Sequence, residues 1–223
     1  MAHERRDASV VAMHMLFLGV DLAQSLGQKR PQMAHERRDA SVVAMQVLFL
    51  GVDLAWGEGT ATRLVNETGL VCINGSGEVL GAGWSRGLDD TLAWIAKASA
   101  MVEDVLISVD APLIVTINTG QRVCERQVGQ QYGRWHVSAN TTNTGSPRQA
   151  GVRLLRELEA RGFSYTDGFS GPPEHGRRVF ECYPYTTLVG AHELGYDVER
   201  PRYKRKPKAL RTAQWRACPG PSL

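Results

Sequence analysis

The run DVLISVDAP at 104–112 restricts the fold more than any other stretch of the chain. It is short, almost continuously apolar and closed by a proline, which is how a strand buried in a parallel sheet reads. Parallel strands need crossover connections, usually helical, and layers to cover their faces, so the chain is expected to be an α/β protein.

The flanking segments supply the other elements. VLFLGVDL at 47–54 predicts a first strand and ETGLVCIN at 67–74 a second. GSG at 75–77 predicts a tight reversal, and EVLGAGWS at 78–85 a third strand antiparallel to the second. LDDTLAWIAKASAMV at 88–102 carries Leu88, Leu92, Ile95 and Ala96 at helical spacing, with acids in its first turn. In SPRQ at 146–149, Ser146 reads as a helix cap, Pro147 as its first turn and Gln149 as the close of a capping box. That helix continues through VRLLRELEA and stops at Gly162. RRVFECYP at 177–184 predicts the last strand, followed by a short helix, TTLVGAHEL, ending near Gly195. Between these elements, 111–147 is rich in Thr, Asn, Gln and Gly and predicts a long irregular segment, a length typical of functional or disordered loops.

The start of the chain is written twice. MAHERRDASVVAM at 1–13 recurs unchanged at 33–45, and the identity resumes through LFLGVDLA. Two nearly identical copies do not make a solenoid, whose units are more numerous and drift in sequence. The second copy runs on into AWGEG and the rest of the chain, which makes Asp53 the working aspartate and Asp21 its stranded twin. The expected organisation is a poorly ordered leader over 1–45, one domain over 46–210 and an aberrant tail over 211–223. The first copy is equally strand-like and competes for the same place in a sheet.

Composition narrows the class. No long uncharged apolar run predicts a membrane span, and the start lacks the apolar region of a signal peptide. Cysteines 72, 124, 182 and 218 show no CxxC pairing, which favours a reduced, cytoplasmic protein over a disulfide framework or zinc site. Net charge is +3 and the pI near 8.7, a mild basicity compatible with nucleic acid as a partner. From Arg200 the chain reads RPRYKRKPKALRTAQWRACPGPSL, without Asp or Glu. This is either a solvated tail or a phosphate-backbone contact, with Tyr203 able to stack on a base.

Three carboxylates carry the chemical expectation. Asp53, Asp110 and Glu181 fall near the carboxyl ends of the first, fourth and fifth predicted strands, the rim where open α/β sheets bind ligands. Neighbouring carboxylates raise one another's pKa, and a divalent cation relieves that repulsion. Hard oxygen donors favour Mg²⁺ or Mn²⁺, and two such ions can polarise a phosphodiester and activate water. The plainer reading of Asp53 and of Asp110 is an Asx-turn, a helix cap or an ordinary turn. Glu181, inside the apolar VFECYP, needs a partner or a metal. In RVCERQVGQQYGRWH at 122–136, Arg122, Glu125, Arg126, Arg134 and His136 are candidates to position a phosphate, with Tyr132 and Trp135 as stacking surfaces. The alternative there is a helix start with exposed i,i+4 pairs and its aromatics in the core. His175 reads as a surface residue, and Cys124 and Cys182 as packing residues.

GVDLAW at 51–56, SVDAPL at 108–113, RVCER at 122–126, ECYP at 181–184 and YK at 203–204 occur in an order that resembles the domain of unknown function 429 family, described as predicted nucleases with a ribonuclease H-like fold. The resemblance covers roughly 46–210. It implies a mixed five-stranded sheet in the order 3-2-1-4-5 with helices on both faces. It also implies metal-dependent hydrolysis of nucleic acid, with Asp53, Asp110 and Glu181 as metal ligands and catalytic residues and Mg²⁺ or Mn²⁺ as cofactor. Arg122, Glu125, Arg126, Tyr203 and Lys204 would then bind substrate. Ribonuclease H-like nucleases generally add an acid from a final helix. Here no Asp or Glu follows Glu199, and QWRACPGPSL has no helical periodicity, so the ending reads as truncated or frame-shifted and the metal site as incomplete. Asp197 or Glu193 could substitute only if the short last helix folds back over the rim. Two other readings stand beside the nuclease. One is a nucleotide-binding phosphotransferase of the actin and sugar-kinase type, with Gly57, Gly59 and Thr60 in a phosphate loop. The other is a non-catalytic nucleic-acid-binding module.

Overall fold

Apolar runs too short for helices build the sheet. β1 (Val47–Asp53) has five consecutive buried residues, and β2 (Glu67–Asn74) has seven. The computed structural model describes residues 47–56, 66–147, 149–167 and 175–190. The leader with Asp21, the segment holding Gly57, Gly59 and Thr60, and Glu193, Asp197, Tyr203, Lys204 and the tail over 211–223 lie outside the described residues. No helix among the described residues is long and apolar enough to cross a membrane.

β3 (Val79–Arg86), β4 (Asp104–Val109), β5 (Ser164–Tyr165) and β6 (Arg177–Glu181) complete a mixed sheet in the order β3-β2-β1-β4-β6-β5. β2 is antiparallel to β1 and β3, whereas β4 runs parallel to β1 and to β6. The five expected strands occur in the expected order, with RRVFE of 177–184 as β6. The count of five is corrected to six: β5 pairs with β6 at two positions only, too few for an alternating pattern to register in sequence. The reversal between β2 and β3 is held by Asn74, whose side-chain oxygen accepts from the amides of Ser76 and Glu78 (3.1 and 2.9 Å). Gly77 takes the positive φ of 84° that this turn requires.

Helix α1 (Gly87–Ser99) stops three residues short of the expected end. Arg177 explains the stop, because its guanidinium donates to the carbonyls of Ser99 and Val102 (2.8 and 3.2 Å). α2 (Val123–Tyr132) and a 3-10 turn (Gly133–Trp135) lie inside the segment expected to be irregular. The only fully buried residue of α2 is Glu125, so it lacks the apolar repeat by which a helix is normally read. α3 (Ala150–Glu159) begins after Gln149, not after Ser146, whose hydroxyl instead accepts from the Asn143 amide (3.0 Å). Gly162, at φ 85°, closes α3: its amide reaches Glu159 and that of Phe163 reaches Leu158. α4 (Pro184–Gly190) follows β6.

The chain divides into two compact units, Met1–Ile114 with Pro147–Cys182, and Val115–Ser146 with Tyr183–Leu223. The expected single domain over 46–210 spans parts of both. In the first unit, Leu48, Leu50 and Val52 of β1, Val105, Ile107 and Val109 of β4 and Val179 of β6 form one core with Leu92 and Ile95 of α1 and Leu154, Leu155 and Leu158 of α3. Both helices of this unit therefore cover one face of the sheet. Phe49, Val71, Ile73 and Leu106 alternate to the opposite face and are also buried. In the second unit, Trp135, Val137 and Val189 form a small core with Val128, Tyr132, Tyr183 and Tyr185.

Candidate active site at the sheet rim

The parallel pairing of β1 with β4 and of β4 with β6 brings three strand ends to one rim. Val52 pairs with Val109, so Asp53 and Asp110 are the next residues in the same register. The ladder continues past the assigned strands: the Asp110 amide donates to the Val52 carbonyl (2.8 Å), and the Cys182 amide to the Val109 carbonyl (2.9 Å). Glu181 pairs with Val109, one step earlier.

That one-residue offset separates the acids. Register partners point to the same side of a sheet, and successive residues point to opposite sides. Asp53, Asp110 and Cys182 therefore follow one side, opposite to the helix-covered core. Glu181 follows Val109 and Val179 on the core side. Its Oε2 accepts the Leu113 amide (3.0 Å), which meets the need of a strand carboxylate for a partner within the chain itself. Asp110 is buried, whereas Asp53 and Glu181 are half-buried. Among the described residues, no group of three or more His, Cys, Asp and Glu side chains is set to hold a metal ion. Asp53 and Asp110 thus stand side by side in register at the rim.

Cys182 registers the charge of the rim. Burial pushes its thiol well above the ordinary value, and the charges of Asp110, Asp53 and Glu181 push the same way against a hydrogen bond with Ser108. A thiol held neutral by burial and by three acids is a poor nucleophile, in keeping with its reading as a packing residue. Cys72 is likewise raised, to about 11, by burial.

The residues proposed to bind substrate fall in the second unit or outside the described residues. Arg122 caps α2, and its Nε pairs with Glu125 Oε1 at 2.7 Å. Glu125 Oε2 accepts the amides of Arg122 and Thr142 (3.1 and 3.0 Å). This buried glutamate therefore ties the start of α2 to the 142 loop, a structural role where an exposed pair was the alternative. Arg126 and His136 are exposed, and His136 adopts a left-handed φ of 58°. Trp135 is buried, with the Arg134 guanidinium 3.6 Å from its ring centre. His175 is exposed, as expected, and its Nδ1 lies 3.2 Å from Asp104 at the opposite end of β4.

Sequence reasoning passed over two residues at the rim. Trp56 lies three positions beyond Asp53, and its indole N–H donates to the Asp110 carbonyl (3.1 Å). Gly151 on α3 packs against the Pro112 carbonyl. Trp56 was visible inside GVDLAW, but nothing in sequence paired it with a residue 54 positions away. Gly151 had no visible signal.

The family model described as "Protein of unknown function (DUF429)" matches residues 51–213. No curated protein and no solved structure matches the chain.

Proposed function

The chain belongs to the DUF429 family, and from that premise we propose that it is a metal-dependent phosphodiesterase acting on nucleic acid, built on a ribonuclease H-like sheet. The observation that supports this reading is the side-by-side register of Asp53 and Asp110 at the carboxyl ends of two parallel strands. The strand order β3-β2-β1-β4-β6, with β2 antiparallel, agrees with the order expected for such a sheet.

The donor set suits a hard cation. Mg²⁺ keeps several waters and commonly binds through one or two carboxylates plus substrate phosphates, so an open pair is a suitable holder. Asp53 and Asp110 would hold it. When bound, such an ion polarises the phosphodiester and lowers the pKa of water at neutral pH. The chain's own contribution is to hold Asp53 and Asp110 ready. The hydrogen bond from the Asp110 amide to the Val52 carbonyl holds the two strand ends together, and Glu181 holds the turn beyond Asp110 through the Leu113 amide. Cys182 stays protonated and fills space beside the pair.

The test is Mn²⁺- or Mg²⁺-dependent cleavage of single- and double-stranded DNA and RNA. Asp110→Asn is the sharper variant, because Asp53 has a duplicate at Asp21 and Asp110 lies outside the repeated segment. Cleavage should fall on the order of 100-fold or more while the urea midpoint stays within error. An unchanged rate would refute the nuclease. The basic stretch from Arg200, with no Asp or Glu, favours one second reading, a nucleic-acid-binding module without chemistry. Salt-sensitive binding with no cleavage at any metal concentration would select it.

A further inference from the structure

The turn Asp110–Leu113 is held from three separate elements. At its start, the indole N–H of Trp56 donates to the carbonyl of Asp110 itself (3.1 Å). At its end, the amide of Leu113 donates to Glu181 Oε2 (3.0 Å). Between them Pro112 has a fixed φ, and its carbonyl oxygen faces Gly151. A Cβ built at Gly151 would fall inside the van der Waals shell of that oxygen and 3.1 Å from the Ala111 side chain. Only glycine lets α3 approach this turn so closely. Ala111 and Leu113 are buried in the core that α3 helps to form, so the turn cannot retreat without opening that core.

We infer that Trp56 and Gly151 are positioning residues for Asp110. Together with Glu181 they fix the Asp110–Ala111 and Pro112–Leu113 peptide planes, so that Asp110 stands beside Asp53 before any ligand arrives. This assignment rests on the Asp53–Asp110 pair as the ion-holding group, and it extends the site to two residues that carry no charge. Trp56 acts through one N–H on a backbone carbonyl, and Gly151 through the space it leaves empty. Preorganisation of this kind matters because a carboxylate free to swing must lose that freedom on binding.

Trp56→Phe and Gly151→Ala, each in the full chain, test the inference by two readouts. The first is amide hydrogen exchange at Leu113, with Ile107 in the middle of β4 as internal reference. The second is Mn²⁺ affinity, read by electron paramagnetic resonance of the free ion. Exchange at Leu113 should accelerate roughly 3- to 10-fold in Trp56→Phe, the weight of one net hydrogen bond, while Ile107 is unchanged. Mn²⁺ affinity should fall roughly 10-fold in each variant, as for partners that orient metal ligands. Unchanged exchange at Leu113, acceleration shared equally by Ile107, or wild-type Mn²⁺ affinity in both variants would each overturn it. A wild-type protein that takes up no Mn²⁺ removes the cation reading, and exchange at Leu113 then decides the clamp alone. Should Gly151→Ala fail to fold, Trp56→Phe decides, since it keeps an aromatic ring and removes a single N–H.

Discussion

Asp104 and Asp110 bracket β4, and their surroundings give them different work. Asp104 opens the strand and accepts the Gly176 amide and His175, which tie the entry of β6 to that of β4. The Gly176 amide, above all, holds its carboxyl below the ordinary value of 3.8, with His175 adding to the effect against a smaller cost of burial. A depressed carboxylate pKa contributes stability that is present above the unfolded value and lost as pH falls through the folded one. Asp104→Asn should therefore flatten the acid limb of a plot of urea midpoint against pH, with the curves converging as pH falls through the lowered value of Asp104. Equal acid sensitivity in the two proteins would show that the Gly176 contact carries no stability. At the other end of β4, neighbours hold the backbone of Asp110, its amide through the Val52 carbonyl and its carbonyl through the Trp56 indole. Glu125 shows a third arrangement, buried and bonded by Arg122 and Thr142, which RVCER alone did not distinguish from a surface pair.

Among the elements, α3 does most to join the sheet core to the rim. Leu154 and Leu158 on one stripe are fully buried against strand residues, and Gly151, one turn earlier, meets the Asp110–Leu113 turn. Leu158→Ala should cost about 2–5 kcal/mol, because the sheet beneath cannot collapse into the space. Urea denaturation measures this, and a loss below about 1 kcal/mol would mean that the site repacks. The stripe of α3 and the apolar runs of β1, β2 and β4 were legible because side-chain periodicity follows burial directly. α2 was not legible, since it buries a glutamate that accepts from both the amide and the guanidinium of Arg122 at the helix start. β5 was not legible because two residues have no period.

For the whole molecule, charge is unevenly distributed along the chain. Eight of the 26 cations lie from Arg200 onward with no acid among them, leaving 18 cations against 23 acids in the remainder. If nucleic acid is the partner, this stretch supplies the screening-sensitive part of binding. Changing Lys204, Arg205 and Lys206 to Gln should lower the slope of log affinity against log salt by about 2–3 on duplex DNA. An unchanged slope would place the phosphate contacts elsewhere. The sequence by itself determined β1 to β4, β6 and the presence of acids near strand ends, because apolar runs and turn residues are local properties. Only the tertiary structure decided that Asp53 and Asp110 share a side of the sheet while Glu181 stands on the other. A single step of register reverses a side chain's face, and register is set by pairing between strands some 50 to 70 residues apart. The same holds for Trp56 and Gly151, whose roles exist only once distant backbone is brought against them.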